Sequence, residues 1–383
     1  MKSLIIKLFV LIFVCIAQPA FSQDYFPKRG EWASKTPQSL GLNATALAEA
    51  VKFAEDNEYS GSKDSRIASL IGFRSEPFHE ILGPMRERGG PAGVIIKDGY
   101  IVAQWGDVDR VDMTHSVTKS YLSTTAGLAI DQGLIRNVQD KVGDYVWDGT
   151  YDGAHNSKVT WHTMLNQSSA WSGELFGLQD WADRPPRTGG LDDWRFKKPV
   201  EPGTVMEYND VRVNVLAYSL MQVWRKPLPQ VLKENIMDPI GASTTWRWFG
   251  YDNSWVNIDG VKVQSVTGGG HSGGGVFISA MDHARFGLLY LNGGKWNGKQ
   301  LISKDWVDAV QVPSESNDSY GYLWWLNRGA RKWKGVADES IYYAAGFGGN
   351  FIVIDKANDV VIVTRWLEPN KIGEMVRLVQ NAY

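Results

Sequence analysis

A single cysteine in 383 residues, Cys15, excludes a disulfide within the chain and leaves no thiol chemistry beyond it. Charge of either sign is not in excess. Forty Lys and Arg stand against 42 Asp and Glu, a formal net charge of −2, which gives no basic field for nucleic acid. The six histidines show neither H-E-x-x-H nor H-x-x-E-H spacing, so the common helical zinc motifs are absent. The glycine run from Gly268 to Gly275 lacks the Lys-Ser/Thr ending that phosphate binding needs, and no dinucleotide-binding glycine pattern precedes a suitable helix. The expectation is a protein without cofactor or metal and without a nucleic-acid partner. Repeats and low-complexity segments are also missing.

Long apolar runs are scarce. The run Leu8 to Ala17 is too short to span a bilayer, and no second one follows. With Lys2 and Lys7 before it and Ala20-Phe21-Ser22 after it, residues 1–22 have the pattern of an export signal, cleaved to leave a soluble chain starting near Gln23. That predicts a periplasmic or secreted protein without a membrane span. Residues 23–383 are expected to form one domain of two intertwined lobes. Ala92 to Ile96 and Tyr100 to Ala103 form a hairpin in this reading, as do Phe351 to Ile354 and Val360 to Thr364, with a final helix from Pro369 onward. Strands from both termini with helices between predict an α+β fold: an antiparallel sheet with flanking helices and an all-helical insertion.

The chemistry-bearing stretch is Ser116-Val117-Thr118-Lys119. Residues three apart share a helix face, so the Lys119 amine reaches the Ser116 hydroxyl. A lysine buried in a crowded site loses its proton more easily than one in water, which makes it a usable base for an otherwise poor nucleophile. The apolar run from Ser120 to Ile135 predicts a helix buried on most sides, with Ser116 at its start facing a cleft. First-turn N–H groups and the helix dipole favour developing negative charge there. Tyr208 follows the Pro202-Gly203 turn and precedes a second apolar helical stretch, where a phenol can point into the same cleft. Tyr343 to Asn350 is rich in small residues and leads into the strand Phe351 to Ile354, letting a strand edge pass close to a ligand.

This order of S-x-x-K, a tyrosine motif and a small glycine-containing strand resembles the class C beta-lactamase and penicillin-binding-protein-like serine hydrolases. The likeness extends to Val159 to Ser169, Gly268 to Gly287 and Asn292 to Lys299, covering the chain from about residue 85 to its end. The resemblance implies a beta-lactamase/transpeptidase-like fold with Ser116 as the acylated nucleophile. It implies that Lys119 keeps the serine deprotonatable and that Tyr208 exchanges protons with the leaving group. The oxyanion hole would combine the Ser116 N–H with one from the strand near Gly346 and Phe347. Two departures are present. Asp210 stands where the family usually has Asn, and Ala344-Ala345-Gly346 stands where lactamases have Lys-Thr-Gly or His-Thr-Gly. Both weaken a lactamase reading and favour esterase or amidase chemistry like that of the 6-aminohexanoate-oligomer hydrolases and carboxylesterases. The substrate would be a small ester, amide or lactam.

Other residues stay open. Asp210 either disfavours carboxylate-bearing substrates, holds Lys119 or a loop by a salt bridge, or points out of the cleft. Trp171, Trp181 and Trp194 lie in a long Gly-, Pro- and Asp-rich loop, and either wall a substrate cleft or anchor the loop. His271 contacts substrate or is a satisfied hydrogen-bonding residue, and His115 is expected to point away from Ser116. Arg184-Pro185-Pro186-Arg187 reads as a solvated turn. Two alternatives of other kinds are a D,D-peptidase acting on cell-wall peptides and a non-catalytic binding or sensor domain, which would have lost Ser116, Lys119 or Tyr208.

Overall fold

The computed structural model describes residues 25–383, so the expected signal segment, with Cys15, lies outside the described residues. Where the sequence alternates or runs in Val and Ile, the chain is extended. Ala92–Lys97 pairs antiparallel with Tyr100–Trp105 around a turn in which Asp98 and Gly99 both take positive φ, 51° and 81°. Such a turn matches the twist of a hairpin, and Asp and Gly tolerate it. Val360–Arg365 pairs with Ala92–Lys97 in the register Ala92 to Arg365, and with Asn350–Asp355 on its other side. The full sheet has seven strands in the order 320–321, 324–326, 342–346, 350–355, 360–365, 92–97, 100–105. Strands from the N-terminal and C-terminal parts of the chain meet where 360–365 pairs with 92–97.

Every residue of Asn350–Asp355 and Val360–Arg365 is buried, because both faces of the sheet are covered. Val361, Val363, Ile352 and Ile354 belong to one core, and Val360, Ile362, Phe351 and Val353 to the other, as the period of two requires. Helix Ala280–Leu291 covers the first face, and Ala44–Asp56 with Ile372–Gln380 covers the second. Gly287 allows the close approach: a Cβ there would meet Val361 Cγ1 at 2.6 Å and Ile352 Cγ2 at 2.9 Å.

The α+β antiparallel class stands, and the insertion differs from the expectation of an all-helical lobe. It holds helices Thr118–Asp131 and Asp210–Trp224, but also a four-stranded antiparallel sheet in the order 112–113, 275–278, 247–258, 261–266. The reason is visible in Arg247–Ile258, a strand that is buried at one end and alternates in exposure towards the other. Its aromatic and β-branched residues, Trp248, Phe249, Tyr251, Trp255, Val256 and Ile258, favour a half-covered pleated surface. Among the described residues no helix is long and apolar enough to cross a membrane.

Candidate active site

Helix Thr118–Asp131 is buried from Thr118 through Ala129. Its hydroxyls bond back to its own carbonyls, Thr124 Oγ1 to Ser120 O at 2.9 Å and Thr125 Oγ1 to Leu122 O at 2.8 Å, so a polar sequence can sit in a core. Ser116 lies in the short turn His115–Val117 that feeds this helix. From Asp112 through Ala129 it is the only residue that is not buried. Thr118 Oγ1 accepts from Val276 N at 3.0 Å, tying the turn to the second sheet. Arg365 donates to Met113 O at 3.0 Å from the first sheet. His115 has a φ of 48°, a region few non-glycine residues occupy, and its ring is wedged against Phe347 at 5.2 Å and Trp366 at 6.2 Å. Burial first, and Arg365 second, hold the His115 imidazole down to about 3, so it is neutral.

Lys119 Nζ donates to Ser116 Oγ at 3.0 Å, as the three-residue spacing predicts. Tyr208 is half-buried just before the second helix, its ring 4.6 Å from Lys119 Nζ. The tyrosine loop is pinned to helix Asp210–Trp224 by Asn209, whose side chain caps that helix by accepting from Arg212 N at 2.9 Å. Asn209 N in turn donates to Gln167 Oε1 at 3.1 Å.

Asp210, the first residue of that helix, is 1% exposed and pairs directly with Lys119. Burial alone would lower the Lys119 amine, but Asp210 and the nearby Tyr208 outweigh it, and the ammonium is held above its ordinary value of 10.5. This corrects the expectation of an easily deprotonated lysine. Burial pushes the Asp210 carboxyl up, yet Lys119, Arg184 and His271 together hold it far below its ordinary value. Of the three readings of Asp210, holding Lys119 is the geometry observed. The premise of an anion-repelling carboxylate fails, because Arg184 Nη2 lies 2.7 Å from its other oxygen.

Arg184 is the largest departure from the sequence reading. It is no solvated turn residue: its guanidinium lines the cleft between Asp183 and Asp210. Asp183 accepts from the backbone N–H groups of Asp210 and Val211 at the start of the helix. Burial, then the neighbouring Asp210, raises the Asp183 carboxyl, against the pull of Arg184. The signal that could have found Arg184 is a deduction: a buried Asp210 beside one lysine at a tight helix start needs a second donor for its other oxygen.

His271 lines the cleft, and Arg184 Nη2 contacts its Nδ1 at 3.0 Å while its Nε2 lies 2.6 Å from Glu76 Oε2. A guanidinium only donates, so the network assigns the proton to Nε2. Burial and then Arg184 lower this imidazole, keeping it neutral. Among the described residues two groups, Glu76 with His79 and His271, and Asp183 with Asp210 and His271, bring ligand atoms within 4.8 Å of one another, and both share His271. The Nε2 lone pair a metal would need is taken by the proton shared with Glu76.

Gly269 and Gly346 complete the walls. A side chain at Gly269 would collide with both Asp210 and Lys119, and a Cβ at Gly346 would lie 3.3 Å from Ser116 N. Strand Tyr342–Gly346 thus runs directly alongside the serine, and Phe347 follows it into the cleft. Trp171 is corrected. It is 3% exposed and donates from Nε1 to Thr150 O at 2.8 Å, so it anchors the loop, because an indole that large is best satisfied in the core with its one donor bonded. Trp181 and Trp194 line a side cavity of about 260 Å³ behind Arg184 and Tyr208.

The main cleft has a volume of about 1160 Å³, with Ser116, Tyr208, Asp210, His271, Gly346 and Phe347 in its lining. The family described as Beta-lactamase matches residues 81–366. The chain is 25% identical over 296 residues to the 6-aminohexanoate-dimer hydrolase of Paenarthrobacter ureafaciens, spanning 71% of this chain and 70% of that protein. Among solved structures it superimposes on a putative 6-aminohexanoate-dimer hydrolase from Bacillus anthracis with a TM-score of 0.54 at 16% identity, covering 80% of this chain and 84% of that one. It also superimposes on a family VIII carboxylesterase with a TM-score of 0.55 at 19% identity, covering 78% and 92%. The fold, the S-x-x-K geometry and the match over most of the chain lead to one conclusion: this protein is an enzyme of the beta-lactamase family of serine hydrolases.

Proposed function

We propose that the chain is an exported serine hydrolase that cleaves ester or amide bonds of small molecules through an acyl-enzyme. The observation that carries this is the half-buried Ser116, the one residue not fully buried in its run, whose hydroxyl lies 3.0 Å from Lys119 Nζ at the cleft. Ser116 Oγ attacks the carbonyl carbon as its proton passes to the neutral Lys119 amine, the bond to the leaving oxygen or nitrogen breaks, and the departing group takes a proton from Tyr208, which the Lys119 proton replaces. Water then attacks the acyl carbon and Ser116 regains its proton. The oxyanion that forms in each half is received by the N–H groups of Ser116 and Phe347.

The neutral Lys119 amine is the competent base in this scheme, and its ion pair with Asp210 withholds it at neutral pH. Turnover therefore rises towards alkaline pH. The chemistry of the relatives' names, an amide hydrolase and a carboxylesterase, supports the substrate class. Export rests on the pattern of residues 1–22. The test is labelling of the mature protein with a fluorophosphonate, followed by peptide mapping. Label on Ser116, lost in Ser116→Ala, is the expected result, and label on another serine rejects the assignment.

A further inference from the structure

Helix Ser65–Gly72 is inverted. Its buried positions hold Ser65, Ala68 and Ser69, and Ser69 Oγ lies 3.4 Å from His79 Nε2 on the inner side. Its large side chains, Ile67, Leu70 and Ile71, stand at i, i+3 and i+4 on the other face and are 48%, 48% and 59% exposed. An ordinary surface helix turns such a stripe towards the core and its small polar residues towards water. Asp64 caps the helix by accepting from Arg66 N and Ile67 N, so the reversed orientation belongs to a formed helix.

The stripe is not isolated. Phe73, the next residue after the helix, lines the main cleft, and Phe78, its ring largely exposed, meets Trp181 edge to face at 6.3 Å. Trp181 shares its side cavity with Trp194, Arg195 and Lys198, in a loop that also exposes Leu191 and Phe196. Six of the thirteen exposed large apolar side chains among the described residues therefore fall in two stretches, 67–78 and 191–196, that meet beside the cleft. Single exposed apolar residues are normal, whereas a cluster marks a surface that something covers.

Charge decides what covers it. Arg66 and Arg74 flank the helical stripe, Arg187, Arg195 and Lys198 flank Leu191 and Phe196, and all five are exposed. Among the described residues none of the five has a carboxylate within ion-pair distance. Two copies packed about a twofold axis through this face would set like charges against like. An anionic lipid surface suits both features, since apolar side chains enter the headgroup boundary while Lys and Arg hold the phosphates.

We infer that Ile67, Leu70, Ile71 and Phe78, with the basic stretch 187–198, dock the mouth of the cleft on an anionic bilayer surface. Phe73 and Phe347, with ring centroids 5.7 Å apart, stand between the docked stripe and the cleft that both of them line. The docking face holds whatever bond Ser116 cleaves.

The experiment sediments the mature chain, without residues 1–22, with vesicles of equal parts phosphatidylcholine and phosphatidylglycerol, or of phosphatidylcholine alone, at low salt. The wild type should partition onto the phosphatidylglycerol vesicles and far less onto the neutral ones. Ile67→Ser with Leu70→Ser and Ile71→Ser should lower the partition coefficient by about tenfold or more. Arg195→Gln with Lys198→Gln should lower it about fivefold for each charge removed, and Phe78→Ser should act in the same direction. Turnover of a soluble ester should stay unchanged in each variant, which reports an intact fold; if the triple variant loses it, Phe78→Ser and the charge variant decide. A wild type that stays in the supernatant with phosphatidylglycerol vesicles, or one whose partitioning none of the substitutions lowers, overturns the docking face. A dimer in sedimentation equilibrium that the triple variant dissociates also overturns it and gives the face to a second copy of the chain.

Discussion

Replacing Asp210 by Asn exposes the electrostatic logic of the site most directly. The change keeps the shape and removes one negative charge from between Lys119 and Arg184, whose side chains are 2% and 29% exposed. Leaving buried cations without their partner costs about 3–5 kcal/mol, a large share of the roughly 5–15 kcal/mol that holds a domain folded. The pH dependence of that loss follows from the directions of the two shifts. Lys119 is raised from 10.5, so its contribution is complete below that value and is lost only as pH rises through the folded pKa. Asp210 is lowered from 3.8, so its contribution is complete above that value and is lost as pH falls through the folded pKa. Across the neutral range both wild-type contributions are complete, so the pH dependence of the Tm drop in Asp210→Asn comes from the variant's own Lys119, which burial then lowers, and the drop should be larger at pH 6 than at pH 8. In the same variant, burial acts on Lys119 unopposed, and the acidic limb of kcat/KM for a neutral ester should move to lower pH. Adding Arg184→Met removes the second orphaned cation and should recover part of the lost Tm. An Asp210→Asn protein that melts with the wild type and keeps its acidic limb would refute the ion-pair account.

Further expectations can be checked with the same ester assay. Lys119→Ala and Tyr208→Phe should each slow acylation by about 10²–10⁴-fold, with a double variant no slower than the worse single one, since both serve one proton path. Gly269→Ala should abolish turnover by forcing a methyl against Asp210 and Lys119, while Gly90→Ala, at a glycine whose Cβ would meet nothing within 4 Å, should leave turnover intact. Trp171→Phe should lower stability by about 1 kcal/mol through the lost bond to Thr150 O, read as a drop in Tm, with KM little changed, because the indole faces the core. A larger effect on KM than on Tm would return Trp171 to the cleft wall.

The two hairpins, the nucleophile helix and the tyrosine helix were legible because each depends on local pattern. Val360–Arg365 alternates between two cores, and Thr118–Asp131 starts where the S-x-x-K spacing places it. The second sheet was not read as strands: Arg247–Ile258 pairs with Gly275–Ile278 only across a long stretch of sequence, and its local hairpin to Val261–Val266 at Asp259-Gly260 was overlooked. Ser116, Lys119 and Tyr208 were found from motif order, whereas Arg184 and Glu76 reach the site only through tertiary packing and have no motif. The protonation of Lys119 was misjudged for the same reason. Burial was foreseeable from the apolar helix, but the weight of Asp210 against it depends on a contact across 91 positions of sequence.

The loop before Tyr208 fastens itself to the helix it precedes. Asp183 takes the first N–H groups of Asp210–Trp224, and Arg212 reaches back to Asp180 at 2.9 Å and to Trp171 O at 2.8 Å. Such a strap is unsuited to opening and closing with each turnover, so substrate exchange should go by the wide mouth of the cleft, and solvent viscosity should act on turnover only through diffusion. It also limits engineering by loop exchange. A transplanted segment that lacks Asp183 and Arg184 would uncap the helix and unbalance Asp210 in one step, whereas the rim at Arg331 and Lys334 can be redrawn without touching either.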